Sequence, residues 1–451
     1  MKSKEITIVG AGLIGSLLSI YLRKQGHKVT IFERRSDLRK EKMSAGKSIN
    51  LALSDRGWRP LKEVGLEAEL LKMVIPMKGR LMHDTKGQLT FQPYGKENQA
   101  INSISRGGLN KLLMNKAEEL GVEIFFGHKC VEVDFEHNLV EFSAKGKHFQ
   151  VHSDLIFGTD GAFSAVRAAM QKTDRFTYSQ SYIPHGYKEL IIPASPSGDF
   201  VLEKNALHIW PRGAYMLIAL PNLDGSFTVT LFLPFEGDGH SFENLNSDDK
   251  IIAFFKSVFP DASELMPTLV NDFKAHPASS LVTIKSYPWI RNNTMILGDA
   301  AHAVVPFYGQ GMNCGFEDCY ELNKLIEKNG DDWQRTFKEF NESRPENTNA
   351  IADLAVENFV EMRDDVGDEK FLLRKKIEAH LNSLYPEKWI PQYSMVTFNP
   401  DMGYAEAMRT GKYQKQVMDE VMSVPNIAET WKNLDYDMII GDLEELLVQG
   451  N

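Results

Sequence analysis

Three glycines near the N-terminus have the spacing of a nucleotide-binding turn. Gly10, Gly12 and Gly15 follow the β-branched run 5–9 and precede a helical pattern. In such a turn the first glycine allows a sharp bend, the second lets backbone amides approach a pyrophosphate, and the third allows close packing of helix on strand. Glu33 ends the next predicted strand, where a carboxylate can accept hydrogen bonds from a ribose hydroxyl. The pattern predicts a dinucleotide site, and by itself it leaves FAD and NAD(H) open.

Two later acidic turns narrow that choice. Asp160 stands in a glycine-rich turn after the strand-like run 154–158, although an Asp-Gly pair alone is an ordinary turn. Asp299 follows the apolar run 295–297, where a carboxylate could hold a ribityl hydroxyl. Residues 309–313 then offer consecutive backbone N–H groups at a predicted helix start, which can polarise an electron-rich ring carbonyl. These features favour FAD.

The elements that must position these motifs indicate an α/β fold. The strand-like run 28–33 follows the first helix, and a helical pattern at 109–119 precedes the strand-like run 122–126. Between about 182 and 286, short strand-like segments alternate with turn residues, as in an antiparallel sheet. The remainder of the chain is mostly helical in pattern.

The composition is that of a globular protein with an acidic surface. The chain has 451 residues, of which 43% are hydrophobic and 25% charged, which excludes disordered, collagen-like and coiled-coil classes. A net charge of −10 argues against binding to nucleic acid or to anionic membranes, because both attract basic surfaces. The three cysteines form no C-x-x-C pair, and no spacing suggests a metal site. No apolar run reaches the ~18 residues of a membrane span, so we expect a cytoplasmic protein.

Together the motifs resemble the three fingerprints of the FAD-dependent aromatic hydroxylases, the group A flavoprotein monooxygenases. In that family the first glycine motif binds the ADP moiety of FAD, the Asp-Gly motif serves FAD and the nicotinamide nucleotide, and the Gly-Asp motif holds the ribityl chain. The resemblance implies tightly bound, non-covalent FAD, with NADPH as reductant. It implies no catalytic protein side chain, because the flavin carries the oxygen chemistry.

The resemblance also implies which residues contact the cofactor. Arg106 matches the arginine that the family places near the FAD diphosphate and ribose. The full predicted set is Gly10, Gly12, Leu13, Ile14, Gly15, Glu33, Arg34, Arg35, Ala52, Arg106, Val131, Asp160, Asp299, Gln310, Gly311, Met312 and Asn313.

The predicted fold is a Rossmann-like FAD-binding domain interrupted in sequence by an antiparallel β-sheet substrate domain and followed by a helical C-terminal region. The predicted segments are 1–75, 98–178 and 285–325 for the FAD-binding domain, 76–97 and 179–284 for the substrate-binding sheet, and 326–451 for the helical region.

The resemblance extends to the branch of this family that hydroxylates L-kynurenine. It is carried by the stretches 48–57, 75–80, 93–95, 208–212, 298–318, 358–363 and 390–398. The implied reaction converts L-kynurenine, O2 and NADPH to 3-hydroxy-L-kynurenine in tryptophan degradation toward quinolinate and NAD. Eukaryotic members of the branch carry a C-terminal membrane-anchoring segment, whereas residues 419–451 here are acidic. We therefore expect a soluble, bacterial-type member.

By the same resemblance, four polar residues bind the amino-acid carboxylate of the substrate: Arg80, Tyr94, Asn358 and Tyr393. The planar donor fork of arginine suits a carboxylate, although most arginines are simply surface residues. Asn358 lies on an otherwise apolar helical stripe, which also fits a core amide bonded to backbone. The apolar pocket walls are predicted to be Ile218, Leu220, Phe232, Phe307 and Met362. His302 is assigned a structural part in the flavin loop.

Two other functions fit the same motifs. One is a related hydroxylase acting on a phenolic acid, which would respond to hydroxybenzoates and little to kynurenine. The other is a flavin-binding regulator or scaffold that turns nothing over. Asp299, Gln310 and the predicted carboxylate-binding residues argue against the second.

Overall fold

The computed structural model describes residues 2–40, 50–95, 99–361 and 369–449. The strands are β1 Glu5–Val9, β2 Lys28–Glu33, β3 Asn50–Leu53, β4 Val74–Met77, β5 Gly79–His83, β6 Leu89–Pro93, β7 Ile101–Ser105, β8 Glu123–Phe126, β9 Lys129–Asp134, β10 Leu139–Ala144, β11 Lys147–His152, β12 Leu155–Gly158, β13 Thr177–Ile192, β14 Ala206–Pro211, β15 Met216–Pro221, β16 Phe227–Pro234, β17 Ser279–Tyr287, β18 Ile290–Arg291 and β19 Thr294–Ile296.

The helices are α1 Leu13–Lys24, α2 Asp55–Glu63, α3 Glu67–Leu70, α4 Arg106–Glu119, α5 Ala165–Met170, α6 Asp248–Val258, α7 Pro260–Glu264, α8 Leu269–Ala275, α9 Gly311–Asn329, α10 Trp333–Val360, α11 Glu369–Leu384, α12 Gln392–Phe398, α13 Tyr404–Met422, α14 Ile427–Thr430 and α15 Tyr436–Gln449. Short 3-10 turns cover Gly298–Ala300, Pro306–Tyr308 and Trp431–Asn433.

The first sheet has six strands in the order β18-β19-β12-β1-β2-β8. Its centre is parallel, with Ile8 of β1 in register with Phe157 on one side and Ile31 on the other. Such strands are buried on both faces, which explains why they appear in sequence as continuous apolar runs. The strands predicted at 5–9 and 28–33 are confirmed. The helix predicted at 109–119 is also confirmed, and it begins earlier because the Ser105 hydroxyl caps it.

The second sheet has seven strands in the order β17-β13-β16-β15-β14-β5-β6 and is largely antiparallel, as the sequence between 182 and 286 predicts. The β5–β6 hairpin joins it from the N-terminal part of the chain, with β5 parallel to β14. Side chains alternate along β15: Leu217 and Ala219 pack against α6–α8, whereas Ile218 and Leu220 face the opposite side. That opposite side is where the predicted substrate residues lie.

Two smaller sheets have the orders β11-β10-β9 and β3-β7-β4. The first contacts the six-stranded sheet through β9 and β2, and the second contacts the seven-stranded sheet through β4 and β14. The C-terminal helices α11, α13 and α15 enclose a separate apolar cluster that includes Leu381, Met418 and Ile440. Among the described residues, no helix combines the length and apolar character needed to cross a bilayer.

The third glycine of the N-terminal turn is required by packing. A Cβ on Gly15 would lie 2.1 Å from the Gly10 carbonyl oxygen and 2.5 Å from Thr159 Oγ1. Gly15→Ala is therefore expected to lower the melting temperature by about 1–3 °C, because the overpacking costs about 1–3 kcal/mol and a chain of this length loses about 1 kcal/mol of stability per degree near its midpoint. Thermal unfolding followed by circular dichroism measures this.

Gly441→Ala is the matched control, since Gly441 lies within α15 and a Cβ there would meet nothing within 4 Å. Its melting temperature should be unchanged or slightly raised, because alanine favours a helix. A Gly15→Ala protein that melts like the wild type would contradict the packing described.

Candidate active site

The turn between β1 and α1 is shaped to receive a phosphate group. Gly10 has φ of 104°, and a Cβ on it would lie 2.8 Å from the Thr159 carbonyl oxygen. A Cβ on Gly12 would meet nothing within 4 Å, so open space adjoins the amides at the start of α1. The Glu33 carboxylate accepts hydrogen bonds from the amides of Ala11 (2.9 Å) and Arg35 (2.8 Å), which joins the turn to the end of β2. This arrangement fits a dinucleotide diphosphate and ribose.

Other residues of the predicted cofactor set lie around this turn. Arg34 and Arg35 are exposed immediately after β2, and Val131 is exposed on β9. The Arg35 carbonyl accepts from the Gly127 amide at 3.0 Å, which brings the β8–β9 turn beside β2. Ile14 points the other way: it lies so close to α9 that a Cβ on Gly315 would be 2.5 Å from its Cδ1. Ile14 therefore joins the turn to α9.

The two acidic motifs occupy different environments. Asp160 accepts hydrogen bonds from Ser164 Oγ (2.5 Å) and the Ala165 amide (2.6 Å), so its carboxylate stabilises the start of α5. Burial raises the pKa of Asp160, and those hydrogen bonds partly offset the shift. Asp299 is exposed to solvent on one side, and the protein atoms around its carboxylate desolvate it enough to raise its pKa. The nearby positive charge of Arg106 partly offsets this shift. Arg106 itself is exposed in the first turn of α4.

The start of α9 is held by a side-chain amide. Asn313 Nδ2 donates to the carbonyl oxygens of Ala52 and Gly309, both at 2.8 Å, and Asn313 Oδ1 accepts from the Ser54 amide at 3.0 Å. The side chain of Asn313 is thus engaged with the protein, and what it offers a ligand is its backbone. Gly311, Met312 and Asn313 form the first turn of α9, where N–H groups have no partner within the helix.

The predicted carboxylate-binding residues converge from three distant segments. The Arg80 guanidinium of β5 lies 4.4 Å from the ring centre of Tyr393 in α12 and 5.7 Å from that of Tyr94, and the two rings stack at 5.6 Å. Arg80 Nε and the Tyr94 hydroxyl are buried, and neither has a hydrogen-bond partner in the described part of the chain. Burial raises the pKa of Tyr94, so its hydroxyl is a neutral donor. Two buried donors beside one another are suited to an anionic group such as a carboxylate.

Aromatic and aliphatic side chains surround this group. Phe307 contacts Phe232 with ring centres 4.9 Å apart, and Leu220 packs with Tyr94. Ile218 and Tyr393 border both apolar clusters on this side of the sheet. Met362, also predicted as a pocket wall, lies outside the described residues.

Asn358 donates from Nδ2 to the Phe307 carbonyl oxygen at 2.6 Å. This is the contact expected of a core amide bonded to backbone, the alternative that the sequence left open. It places Asn358 beside the pocket wall, and it fixes the loop that carries Phe307.

Three residues of the site were not assigned a role from the sequence. Tyr308 stacks on Tyr393 with ring centres 5.2 Å apart, and Tyr404 donates its hydroxyl hydrogen to Gln310 Oε1 at 3.1 Å. Arg56 is buried and donates to Glu317 at 2.8 Å. Arg56 stands within the stretch 48–57 that carries the family resemblance, and this position could have marked it as a functional residue.

His302 belongs to a buried cluster behind the flavin motif. Its Nε2 lies 2.6 Å from Asp318 Oδ2. Burial lowers the pKa of His302, but the Asp318 carboxylate outweighs burial and raises it to about 10. Ligand-type atoms of His302, Cys314 and Asp318 lie within 4.8 Å of one another, a grouping that sequence spacing does not reveal. Arg344 already donates twice to Asp318 Oδ1, at 2.8 and 3.0 Å, and so neutralises that carboxylate.

Comparison with known proteins identifies the class of this fold. Residues 3–344 match the FAD binding domain family. Among solved structures, 2-methyl-3-hydroxypyridine-5-carboxylic acid oxygenase aligns with a TM-score of 0.68 at 20% identity, covering 81% of this chain and 94% of that one. P. aeruginosa PqsL, solved with 2-aminobenzoylacetate, aligns with a TM-score of 0.66 at 18% identity, covering 80% and 97%. The fold is that of FAD-binding monooxygenases.

Full-length relatives identify the family. Kynurenine 3-monooxygenase of Christiangramia forsetii is 48% identical over 439 residues, covering 97% of this chain and 98% of the relative. The enzyme of the same name from Myxococcus xanthus is 50% identical, covering 93% and 91%, and that of Sus scrofa is 42% identical, covering 93% and 88%. The chain belongs to the kynurenine 3-monooxygenase family.

The open space beside Gly12 generates a prediction about the flavin. Gly12→Val should leave the fold intact, because Gly12 has an extended backbone that any residue adopts (φ −73°, ψ −177°). The added side chain would occupy the approach to the α1 amides, so the purified protein should contain little flavin. The ratio of flavin absorbance to protein absorbance measures this.

Gly239→Val is the control, because Gly239 also has open space beside it and lies in a surface loop. It should retain wild-type flavin content. A Gly12→Val protein with full flavin content and a wild-type melting temperature would show that FAD does not approach this turn.

Proposed function

We propose that this protein hydroxylates L-kynurenine at ring carbon 3 with O2 and NADPH, giving 3-hydroxy-L-kynurenine and water in tryptophan degradation toward quinolinate and NAD. The observation that carries the proposal is the group formed by Arg80, Tyr94 and Tyr393. It offers buried donors for an amino-acid carboxylate beside apolar and aromatic side chains that suit an aromatic ring. The family membership of the chain supports the same substrate.

FAD, when bound, supplies the electron-transfer and oxygen chemistry that no side chain can. In our proposal the Gly10–Gly15 turn and α1 hold its diphosphate, and Glu33 accepts from its ribose. Asp299 would accept from the ribityl chain. The first-turn amides of α9 would polarise the flavin ring at its carbonyl end.

The protein's own contribution to the reaction is positioning. Arg80 would bind the substrate carboxylate through its donor fork, with the Tyr94 and Tyr393 hydroxyls as further donors. The loop that Asn358 fixes would set the distance between the pocket wall and the substrate ring. With Ile218, Leu220, Phe232 and Phe307, this wall would keep water from the reacting carbon. Because the amino group on the substrate ring activates the adjacent carbon, no protein base is required.

The decisive assay uses the purified protein with NADPH, air and candidate substrates. L-Kynurenine should stimulate NADPH oxidation and yield 3-hydroxykynurenine, identified by mass spectrometry. Stimulation by hydroxybenzoates alone would assign a phenolic substrate. A flavin-containing protein that fails to oxidise NADPH in the presence of either substrate would indicate a binding role without turnover.

Arg80→Met should raise the apparent KM for kynurenine about 10- to 100-fold, because a charge-assisted hydrogen bond contributes about 1.5–3 kcal/mol. Its flavin content should match the wild type. As a second measurement, the decarboxylated analogue of kynurenine should be a poor substrate for the wild type, and Arg80→Met should barely distinguish it from kynurenine.

Arg409→Met removes a surface arginine that pairs with Glu346, and it controls for the change in net charge. It should retain the wild-type KM. If Arg80→Met loses flavin and keeps its KM, Arg80 serves the cofactor and its assignment to the substrate is wrong.

A further inference from the structure

We propose that Tyr404 is a positioning residue that fixes the orientation of the Gln310 side-chain amide, so that its NH2 group donates to bound FAD. The proposal deepens the function proposed above and rests on FAD being the cofactor. Tyr404 begins α13 and Gln310 immediately precedes α9, so the contact joins two segments far apart in the chain.

The hydrogen bond between the two residues determines which end of the amide faces outward. Tyr404 is fully buried, and its hydroxyl must find an acceptor inside the protein. That acceptor is Gln310 Oε1, at 3.1 Å. If the amide were reversed, NH2 would face the hydroxyl and the phenolic hydrogen would lose its acceptor. The Gln310 side chain is therefore held with its oxygen toward Tyr404 and its nitrogen away.

Gln310 Nε2, the nitrogen that faces away from Tyr404, donates no hydrogen bond to any residue in the described part of the chain. The residue as a whole is nevertheless only 2% exposed. The chain neighbours of Gln310 belong to both regions of the site. Tyr308, two residues earlier, stacks on Tyr393 of the substrate group, and Gly311, one residue later, begins α9. Gln310 therefore lies, along the chain, between a residue of the substrate group and the helix start that fits the flavin ring.

The tyrosine itself is held rigidly, as a positioning role requires. The Arg56 guanidinium stacks 4.1 Å from its ring centre and is anchored to Glu317 at 2.8 Å. The next residue along α13, Ala405, donates its amide hydrogen to Asn347 Oδ1 at 3.1 Å. Rotation of the Tyr404 ring or movement of the start of α13 would break these contacts.

The test is a double-mutant cycle on FAD affinity, measured by quenching of flavin fluorescence when FAD is added to protein stripped of flavin. Tyr404→Phe should raise the Kd for FAD about three- to tenfold, because the amide is no longer oriented. Gln310→Met should raise it by a similar factor. The double variant should equal Gln310→Met alone, since Tyr404 acts only through Gln310.

Tyr436→Phe is the matched control, because it removes another buried tyrosine hydroxyl, one that donates to the Trp431 carbonyl in the C-terminal cluster. Its Kd should be unchanged. Additive effects in the double variant, or an unchanged Kd in Tyr404→Phe, would overturn the proposal. Should Tyr404→Phe fail to fold, Gln310→Met decides the matter alone: an unchanged Kd overturns the proposal and a raised Kd supports it.

FAD affinity is measured without kynurenine, so the two proposals fail separately. A wild type that binds FAD but does not hydroxylate kynurenine refutes the proposed substrate. The double-mutant cycle on FAD affinity still tests the role of Tyr404 in that case. A wild type that hydroxylates kynurenine while the cycle is additive refutes only the role given to Tyr404.

Discussion

Two adjacent carboxylates on α9 hold the halves of the site in one geometry. Glu317 accepts from Arg56 at 2.8 Å and from Arg344 at 3.0 Å, and Asp318 accepts from Arg344 and His302. All five side chains are buried, so each charge depends on a partner inside the protein. Removing one member of such a group costs about 3–5 kcal/mol, because it leaves a buried charge uncompensated. The helix that begins at the flavin motif is therefore fixed along its first half.

Arg56 extends this network to the proposed substrate side. Its guanidinium also donates to the carbonyl oxygens of Val396 (2.5 Å) and Asn399 (2.9 Å), at the end of the helix that brings Tyr393 against Arg80. Asp318 carries it to the cofactor side, because the amide of Gly298, next to Asp299, donates to Asp318 at 3.0 Å. One ion-pair network thus connects the two proposed binding regions, which suits a reaction that depends on placing one ring atom.

The sequence predicted local features well and contacts between segments far apart in the chain poorly. The β1–α1–β2 unit and the helix at 109–119 followed from local patterns, and the structure confirms them. Arg80, Tyr94 and Tyr393 came from family resemblance, since they lie on β5, after β6 and on α12, and no spacing relates them. Arg56 and Tyr404 received no role, because an arginine or tyrosine in sequence carries no sign of which buried carboxylate or amide it will meet.

The sequence by itself determined the features that depend on neighbouring residues. Gly10, Gly12 and Gly15 specify a turn because their lack of a Cβ is a local property, and the β-branched run 5–9 specifies a strand because such side chains favour an extended backbone. Only the tertiary structure decided that Arg56 pairs with Glu317, that Asn358 binds the Phe307 carbonyl and that Gln310 meets Tyr404. The reason is physical: a buried polar group must be satisfied, and its partner is supplied by whichever distant element the packing of the core brings beside it.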